Sequence, residues 1–544
     1  MTFRRPVPSG VLYVAIIIAA SLFAPTSLPA QTQPERTLAG EWVGTVEVGS
    51  ELQPVSMTFT AGDSPTGTIT SLLSDSTPTA LSSVSLEGGR VRVELAGQGV
   101  LDGTLQGDSV TGGVETKEGR KGTFSLIRTM ALDRATLARN VGLYRFADGR
   151  ILLIDLLPGA IRLYAVDVKS GQARAAFPVS PTEFVSGPAL LVPYPAEQTL
   201  TFQIKGGQVV GVVRKPASGA IERAVRVNIR EEQVQFHNGD ITLAGTLLLP
   251  PAGTRHPGLV FAHGSGATPR EWFWGFGYLM ASRGFAVLAF DKRGTGGSSS
   301  KLRGANFEDL ADDVAAGARF LQSRREIDGR RIGFWGLSQG AWIAPLAAVR
   351  FPAAAFVVTL SGGGLTPAQQ ELFNSEYAMR KAGFSDEDVR EALAFQTARN
   401  EFMRTGTGWD DYLERRTRAR SKPWYGLAGT DLSGPESAAG QMWSSMRGFY
   451  FYDPMPTLRA SRAPLLAIFG ELDSPDGVKA NVAGITAALQ TGGQKDFTIR
   501  VFPNGRHNLM DIGGFSPSEY ARLQRFVPGL FDTMAEWLRK QVAR

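Results

Sequence analysis

A serine, a histidine and an aspartate define the chemistry this chain could perform. Ser338 lies in Gly336-Leu337-Ser338-Gln339-Gly340, between the apolar run Ile332–Trp335 and a helix-forming run, Ala341–Val349. A serine hydroxyl becomes a useful nucleophile only when a base takes its proton and a third group orients that base. His507, in Pro503-Asn504-Gly505-Arg506-His507-Asn508, is the one histidine downstream of Ser338. Asp473, in Gly470-Glu471-Leu472-Asp473, offers a carboxylate for the imidazole Nδ1–H, with Asp476 and Glu471 as rivals. Attack by Ser338 would create an oxyanion that needs preorganised N–H donors. The expected donors are the backbone of Gln339 and that of Ser265 in His263-Gly264-Ser265-Gly266, with Gly264 and Gly266 as alternatives to Ser265. His263 itself is expected to pin this loop by hydrogen bonding. Trp272 and Trp274 either line an acyl pocket or pack in a core.

The elements around these residues give the motif its weight. Gly-x-Ser-x-Gly alone is weak in a chain with 63 glycines. With a strand before it and a helix after it, the pattern reads as a nucleophile elbow, whose crowded turn requires small residues two before and two after the serine. A tight structural turn is the alternative. From about Glu231 onward, near-continuous apolar runs alternate with helical segments. Leu259–Ala262, Phe285–Phe290, Ile332–Trp335, Phe356–Leu360, Leu465–Phe469 and Phe497–Phe502 read as strands buried on both faces, and Phe307, Leu310, Val314, Ala318 and Leu321 as one helix face. This alternation predicts a mostly parallel α/β sheet. Val234–Phe236 and Leu243–Leu249 flank Asn238-Gly239-Asp240 and read as a hairpin. Residues from about 362 to 455 break the rhythm with a helical, aromatic-rich insertion placed to cap Ser338. Its basic run Arg415, Arg416, Arg418, Arg420 reads as a solvated helix face. Asp291-Lys292-Arg293-Gly294-Thr295-Gly296-Gly297-Ser298 lacks the Gly-Lys-Ser/Thr ending of a phosphate loop and reads as a structural loop.

The N-terminal part is of another kind. Alternation such as Val91, Val93 and Leu95 against Arg92 and Glu94, with recurrent Gly-Gly and Asp-Gly pairs, predicts a small antiparallel barrel or sandwich over 38–130. Residues 131–228 predict an accessory β-rich domain with a short helix at its start, or a continuation of the first barrel. Residues 229–544 form the α/β domain. The first of these regions converges no acids, bases or ligands, so no chemistry is assigned to it.

Composition bounds the rest. The 544 residues are 43% hydrophobic and 20% charged with a net charge of +6, values of a globular chain of about three domains. Basic residues are scattered among acids, which gives no nucleic-acid footprint. The absence of cysteine excludes disulfides, thiolate metal sites and a cysteine nucleophile, and four histidines leave no metal cluster to expect. Arg4 and Arg5, the apolar run Val11–Phe23 and the exit Leu28-Pro29-Ala30 match a secretory signal over 1–30, with an uncleaved anchor as the alternative. The expected location is periplasmic or secreted, with no integral membrane segment after signal removal.

From about Val234 onward the chain resembles the serine α/β-hydrolases, and among them the exported bacterial EstD-type esterases. The residues carrying the resemblance are His263-Gly264-Ser265-Gly266, Arg283-Gly284-Phe285-Ala286-Val287-Leu288-Ala289-Phe290-Asp291-Lys292-Arg293-Gly294, Gly336-Leu337-Ser338-Gln339-Gly340-Ala341-Trp342-Ile343-Ala344-Pro345, Gly470-Glu471-Leu472-Asp473 and His507. Ala341 stands where relatives often carry another glycine. The resemblance implies an α/β-hydrolase fold in which the histidine comes last in sequence. It also implies carboxylesterase activity on short acyl esters, with a triad of Ser338, Asp473 and His507, a small-molecule ester substrate and no cofactor. A peptidase, amidase or thioesterase on the same residues is the alternative. A non-catalytic envelope binding protein is a third reading, which the full residue set disfavours.

Overall fold

Alternation in the N-terminal region resolves into closure. The computed structural model describes residues 37–62, 64–72, 77–156, 162–300, 304–428, 447–511 and 517–543; the expected leader over 1–30 lies outside them. Eight strands, from Gly40–Val48 to Lys121–Thr129, form a closed antiparallel barrel, because the first strand pairs with both the second and the eighth. Val91 and Val93 point inward while Arg90 and Arg92 face solvent, the period-two signature of a one-sided core. That core holds Trp42, Met57, Leu101 and Phe124. Glu87 opposes Arg90 across Gly88-Gly89, a two-residue hairpin turn with φ of 56° and 89° that only glycine adopts without strain.

A short helix, Arg134–Ala138, capped by the Asp133 carboxylate, leads into a second closed barrel. Gly142–Phe146 closes it by pairing with Ile151–Leu156 on one side and Glu222–Arg226 on the other. The β-rich region is therefore two separate barrels. The second shares one apolar core with a face of the C-terminal sheet: Leu153, Phe177 and Phe202 belong to the same cluster as Phe261, Trp335 and Phe531.

The C-terminal sheet has eight strands. Their spatial order is Arg230–Asn238, Ile241–Leu249, Ala286–Phe290, His256–Ala262, Ile327–Leu337, Val357–Leu360, Leu465–Gly470 and Phe497–Phe502. The first two form an antiparallel hairpin, and Ile241–Leu249 pairs antiparallel with Ala286–Phe290. The remaining neighbours pair in parallel. Order reverses around His256–Ala262, which lies between Ala286–Phe290 and Ile327–Leu337, and such a reversal opens a crevice at the carboxyl ends of the strands. The expectation that Phe497–Phe502 is buried on both faces is corrected. It is the edge strand, with Leu465–Gly470 as its one neighbour among the described residues, and Arg500 and Val501 are exposed there.

Helices cover both faces. Phe307–Gln322 buries Phe307, Leu310, Val314, Ala318 and Leu321, and starts at a capping box in which Asn306 and Asp309 exchange side chain-to-backbone bonds. The insertion is helical over Pro367–Lys381, Asp386–Thr405 and Trp409–Ala419, with its own core around Met379, Phe395, Phe402 and Trp424. In the basic run, Arg415 pairs with Asp411 and Arg418 with Glu414 at i,i+4 spacing on an exposed face.

Candidate active site

Ser338 sits at the turn between the strand Ile327–Leu337 and the helix Gly340–Arg350, with φ of 57°. Left-handed backbone is costly for a residue with a Cβ, and it persists only where surroundings over-determine it. Two features do so here. The Ser338 N–H donates to the Leu360 carbonyl on the next strand at 2.9 Å. The flanking glycines let backbones meet: a Cβ on Gly336 would lie 2.1 Å from the Gly340 carbonyl oxygen, and one on Gly340 would lie 2.4 Å from that of Ala262.

His507 meets this serine from the loop after the edge strand. Its Nε2 lies 2.9 Å from Ser338 Oγ, and its Nδ1 lies 2.8 Å from Asp473 Oδ2. The carboxylate can only accept, so the Nδ1 proton points at Asp473 and Nε2 is left to accept from the serine hydroxyl. Burial of the imidazole disfavours its charged form, but the charge of Asp473 and its hydrogen bond outweigh that and hold the His507 pKa above the ordinary value. Of the three carboxylates in question, only Asp473 reaches His507. Glu471 accepts from the Asn504 N–H, and Asp476 pairs with Lys479 in solvent. Ser361, which sequence reasoning passed over, donates its hydroxyl to the His507 carbonyl at 2.8 Å and so fixes the histidine loop.

Strain concentrates around this group. Among the described residues, the non-glycine positions with positive φ are Ser300, Ser338, Ser361, Ser474, Asn504 and Leu509. All but Ser300 are Ser338 itself or lie in the loops that carry Asp473, His507 and the contact to His507.

The loop His263-Gly264-Ser265-Gly266 runs beside the elbow. A Cβ on Gly264 would lie 3.8 Å from the Leu337 carbonyl, and one on Gly340 would lie 3.2 Å from that of His263. His263 is buried and burial pushes its pKa down to about 4, so the ring is neutral and its Nε2–H donates to the Phe290 carbonyl. Because the Ser338 N–H is committed to Leu360, the next N–H along the chain, that of Gln339, is the one the elbow can offer. Gln339 Oε1 accepts from Lys292 Nζ at 2.6 Å, and the same ammonium donates to the Gly264 and Gly266 carbonyls at 2.8 and 3.2 Å.

The segment after Phe290 thus anchors three different neighbours. Asp291 takes a two-pronged bond from Arg270 and the Gly297 N–H, and Arg293 pairs with Asp313 inside the fold. Trp272 is exposed, whereas Trp274 packs against Tyr278 with ring centroids 6.4 Å apart, in the core shared with the second barrel. Among the described residues, no group of three or more His, Asp or Glu side chains is placed to hold a metal ion.

Residues 259–523 match the model of the alpha/beta hydrolase family, a span that contains Ser338, Asp473 and His507. The C-terminal region is an α/β-hydrolase domain. Within the chain, 108 residues are 32% identical to the quorum-quenching protein AidA of Acinetobacter baumannii, covering 20% of this chain and 36% of that protein. A stretch of 113 residues is 34% identical to an uncharacterized protein of Pseudomonas aeruginosa, covering 20% of this chain and 30% of that one. The chain thus spans about a third of the length of these curated relatives. Among solved structures, Est1E from Butyrivibrio proteoclasticus aligns with a TM-score of 0.35 at 14% identity, covering 57% of this chain and 99% of its own. A dienelactone hydrolase from Anabaena variabilis aligns with a TM-score of 0.31 at 16% identity, covering 58% and 97%.

Proposed function

We propose that this protein is an exported serine carboxylesterase that cleaves short-chain acyl esters through an acyl-enzyme on Ser338. The observation that carries the reading is the unbroken chain from Ser338 Oγ through His507 to Asp473, at 2.9 and 2.8 Å, with the serine held at a left-handed turn. As Ser338 Oγ attacks the ester carbonyl, His507 Nε2 takes its proton, and Asp473 stabilises the imidazolium that forms. The carbonyl oxygen becomes an oxyanion held by the Gln339 and Ser265 N–H groups. Collapse of the tetrahedral intermediate expels the alcohol, which receives the proton from His507. Water, deprotonated by His507, then attacks the acyl-Ser338 ester, and the acid leaves with the serine restored. No cofactor enters these steps. Export rests on the charged, apolar and small-residue pattern over 1–30.

Hydrolysis of a p-nitrophenyl acyl series, acetyl to long chain, by wild type and Ser338→Ala tests the proposal. Expected is turnover of the short esters that falls by about 10⁵-fold or more in the variant, since removing a nucleophile of this kind leaves only the contributions of binding and oxyanion donors. Thioester or aminoacyl-amide turnover with no ester turnover would move the substrate class. A folded protein inert to all three would overturn the proposal.

A further inference from the structure

Lys292 follows a strand buried along its whole length and is itself 2% exposed. An ammonium placed there needs acceptors for its protons, and a carboxylate is the usual solution. Among the described residues no carboxylate is bonded to it. The three acceptors are the Gly264 carbonyl at 2.8 Å, the Gly266 carbonyl at 3.2 Å and Gln339 Oε1 at 2.6 Å. They come from the two segments that carry the proposed oxyanion donors. A trans peptide fixes the relation between its ends, so the Gly264 carbonyl and the Ser265 N–H belong to one planar unit and point in opposite directions. Holding that carbonyl on the ammonium aims the Ser265 N–H away from Lys292, and the positive charge polarises the peptide so that its N–H donates more strongly. The bond to the Gln339 side chain ties the second donor residue to the same ammonium.

We infer that Lys292 is a positioning residue for the oxyanion hole, a buried cation that fixes the Ser265 peptide against the elbow and polarises it toward the developing negative charge. The inference rests on the esterase reading for its kinetic consequence and on the geometry alone for its structural one. The groups facing Lys292 leave its charge unneutralised. Asp291 is bound by Arg270, Arg293 by Asp313, His263 is neutral, and His507 is engaged with Asp473. Burial without a counter-charge pushes the Lys292 pKa down to about 8. The ammonium is therefore lost as pH rises through about 8, and its help to the oxyanion is lost with it.

The test compares wild type, Lys292→Met and Gln339→Glu in kcat against pH with p-nitrophenyl acetate, alongside hydrogen–deuterium exchange of the peptide covering 263–268. Wild type is expected to show an alkaline loss of kcat centred near pH 8. Lys292→Met should lower kcat at neutral pH by about 10²-fold, the usual effect of disabling one oxyanion donor, with KM within about threefold and no alkaline limb. Gln339→Glu leaves every lysine bond possible and adds a carboxylate, so its alkaline limb should move upward by about one pH unit or more. Because it keeps the buried lysine, it remains informative if Lys292→Met fails to fold. Exchange over 263–268 should quicken in Lys292→Met while the helix Phe307–Gln322 stays protected. A Lys292→Met enzyme with wild-type kcat and an unchanged alkaline limb, or a Gln339→Glu limb that does not move, would overturn the inference. If wild type proves inert to esters, the esterase reading falls, and the exchange of 263–268 in Lys292→Met then decides the positioning claim by itself.

Discussion

The first barrel and the carboxyl edge of the α/β sheet handle sharp backbone turns in different ways. Among the described residues of the barrel every positive φ falls on glycine, as at Gly49, Gly88, Gly89, Gly97, Gly107 and Gly119. At the carboxyl edge of the sheet it falls on glycines such as Gly266 and Gly363, but also on Ser338, Ser361, Ser474, Asn504 and Leu509. A turn whose purpose is to reverse a strand can use glycine and stay relaxed. A turn whose side chain must project a hydroxyl, or carry a loop that does, keeps the side chain and is strained, by about 1–3 kcal/mol at each such position. A Cβ at Gly88 or Gly107 meets nothing within 4 Å, whereas at Gly336 and Gly340 it meets backbone.

Substitutions can break this contrast or sharpen it, and the largest effect is expected at the hydrogen-bonded chain. Asp473→Asn should lower kcat by about 10³–10⁴-fold, because the amide can present an N–H to Nδ1 and favour the wrong tautomer. The pH profile carries a second signature. As the proposed base, His507 acts when neutral, so kcat/KM should fall as pH drops through its pKa, which the Asp473 charge and hydrogen bond hold above the ordinary imidazole value. In Asp473→Asn the midpoint should move down. A wild-type acid limb below about 6.5 would contradict the assigned coupling.

Next in size is the paired glycine comparison, read by denaturant unfolding. Gly340→Ala forces a Cβ toward the Ala262 carbonyl and should cost about 3 kcal/mol or more, since backbone on both sides cannot retreat. Gly88→Ala meets open space and should cost only the left-handed penalty, about 1–2 kcal/mol. Equal costs at the two positions would remove the distinction between crowding and conformational strain. The smallest effect should come from Glu47→Gln, which removes the half-exposed ion pair between the first barrel and Arg522 and should change stability by less than about 1 kcal/mol.

The site was more legible in the sequence than its supports. Ser338 could be named from its flanking glycines and the elements on either side, His507 because it is the one histidine downstream of it, and Asp473 because it follows an apolar run. Lys292 could not be placed, since its acceptors include backbone carbonyls of a loop that precedes it by 26 to 28 residues. No residue type marks a carbonyl as a partner. Barrel closure was hidden for a related reason. Alternation tells which face of Gly40–Val48 is buried, but its pairing with Lys121–Thr129 depends on the path of everything between. Phe497–Phe502 looked like a central strand because composition reports apolarity and not how many neighbours a strand has.

If Ser338 is a nucleophile activated by His507 and Asp473, it should be captured covalently. Fluorophosphonate labelling, followed by intact mass and peptide mapping of wild type, Ser338→Ala and His507→Ala, tests it most directly. Expected are a single adduct on the peptide containing Ser338, none in Ser338→Ala, and labelling of His507→Ala slowed by about 10³-fold or more. A folded wild type that takes no label, or takes it on another residue, would contradict the claim.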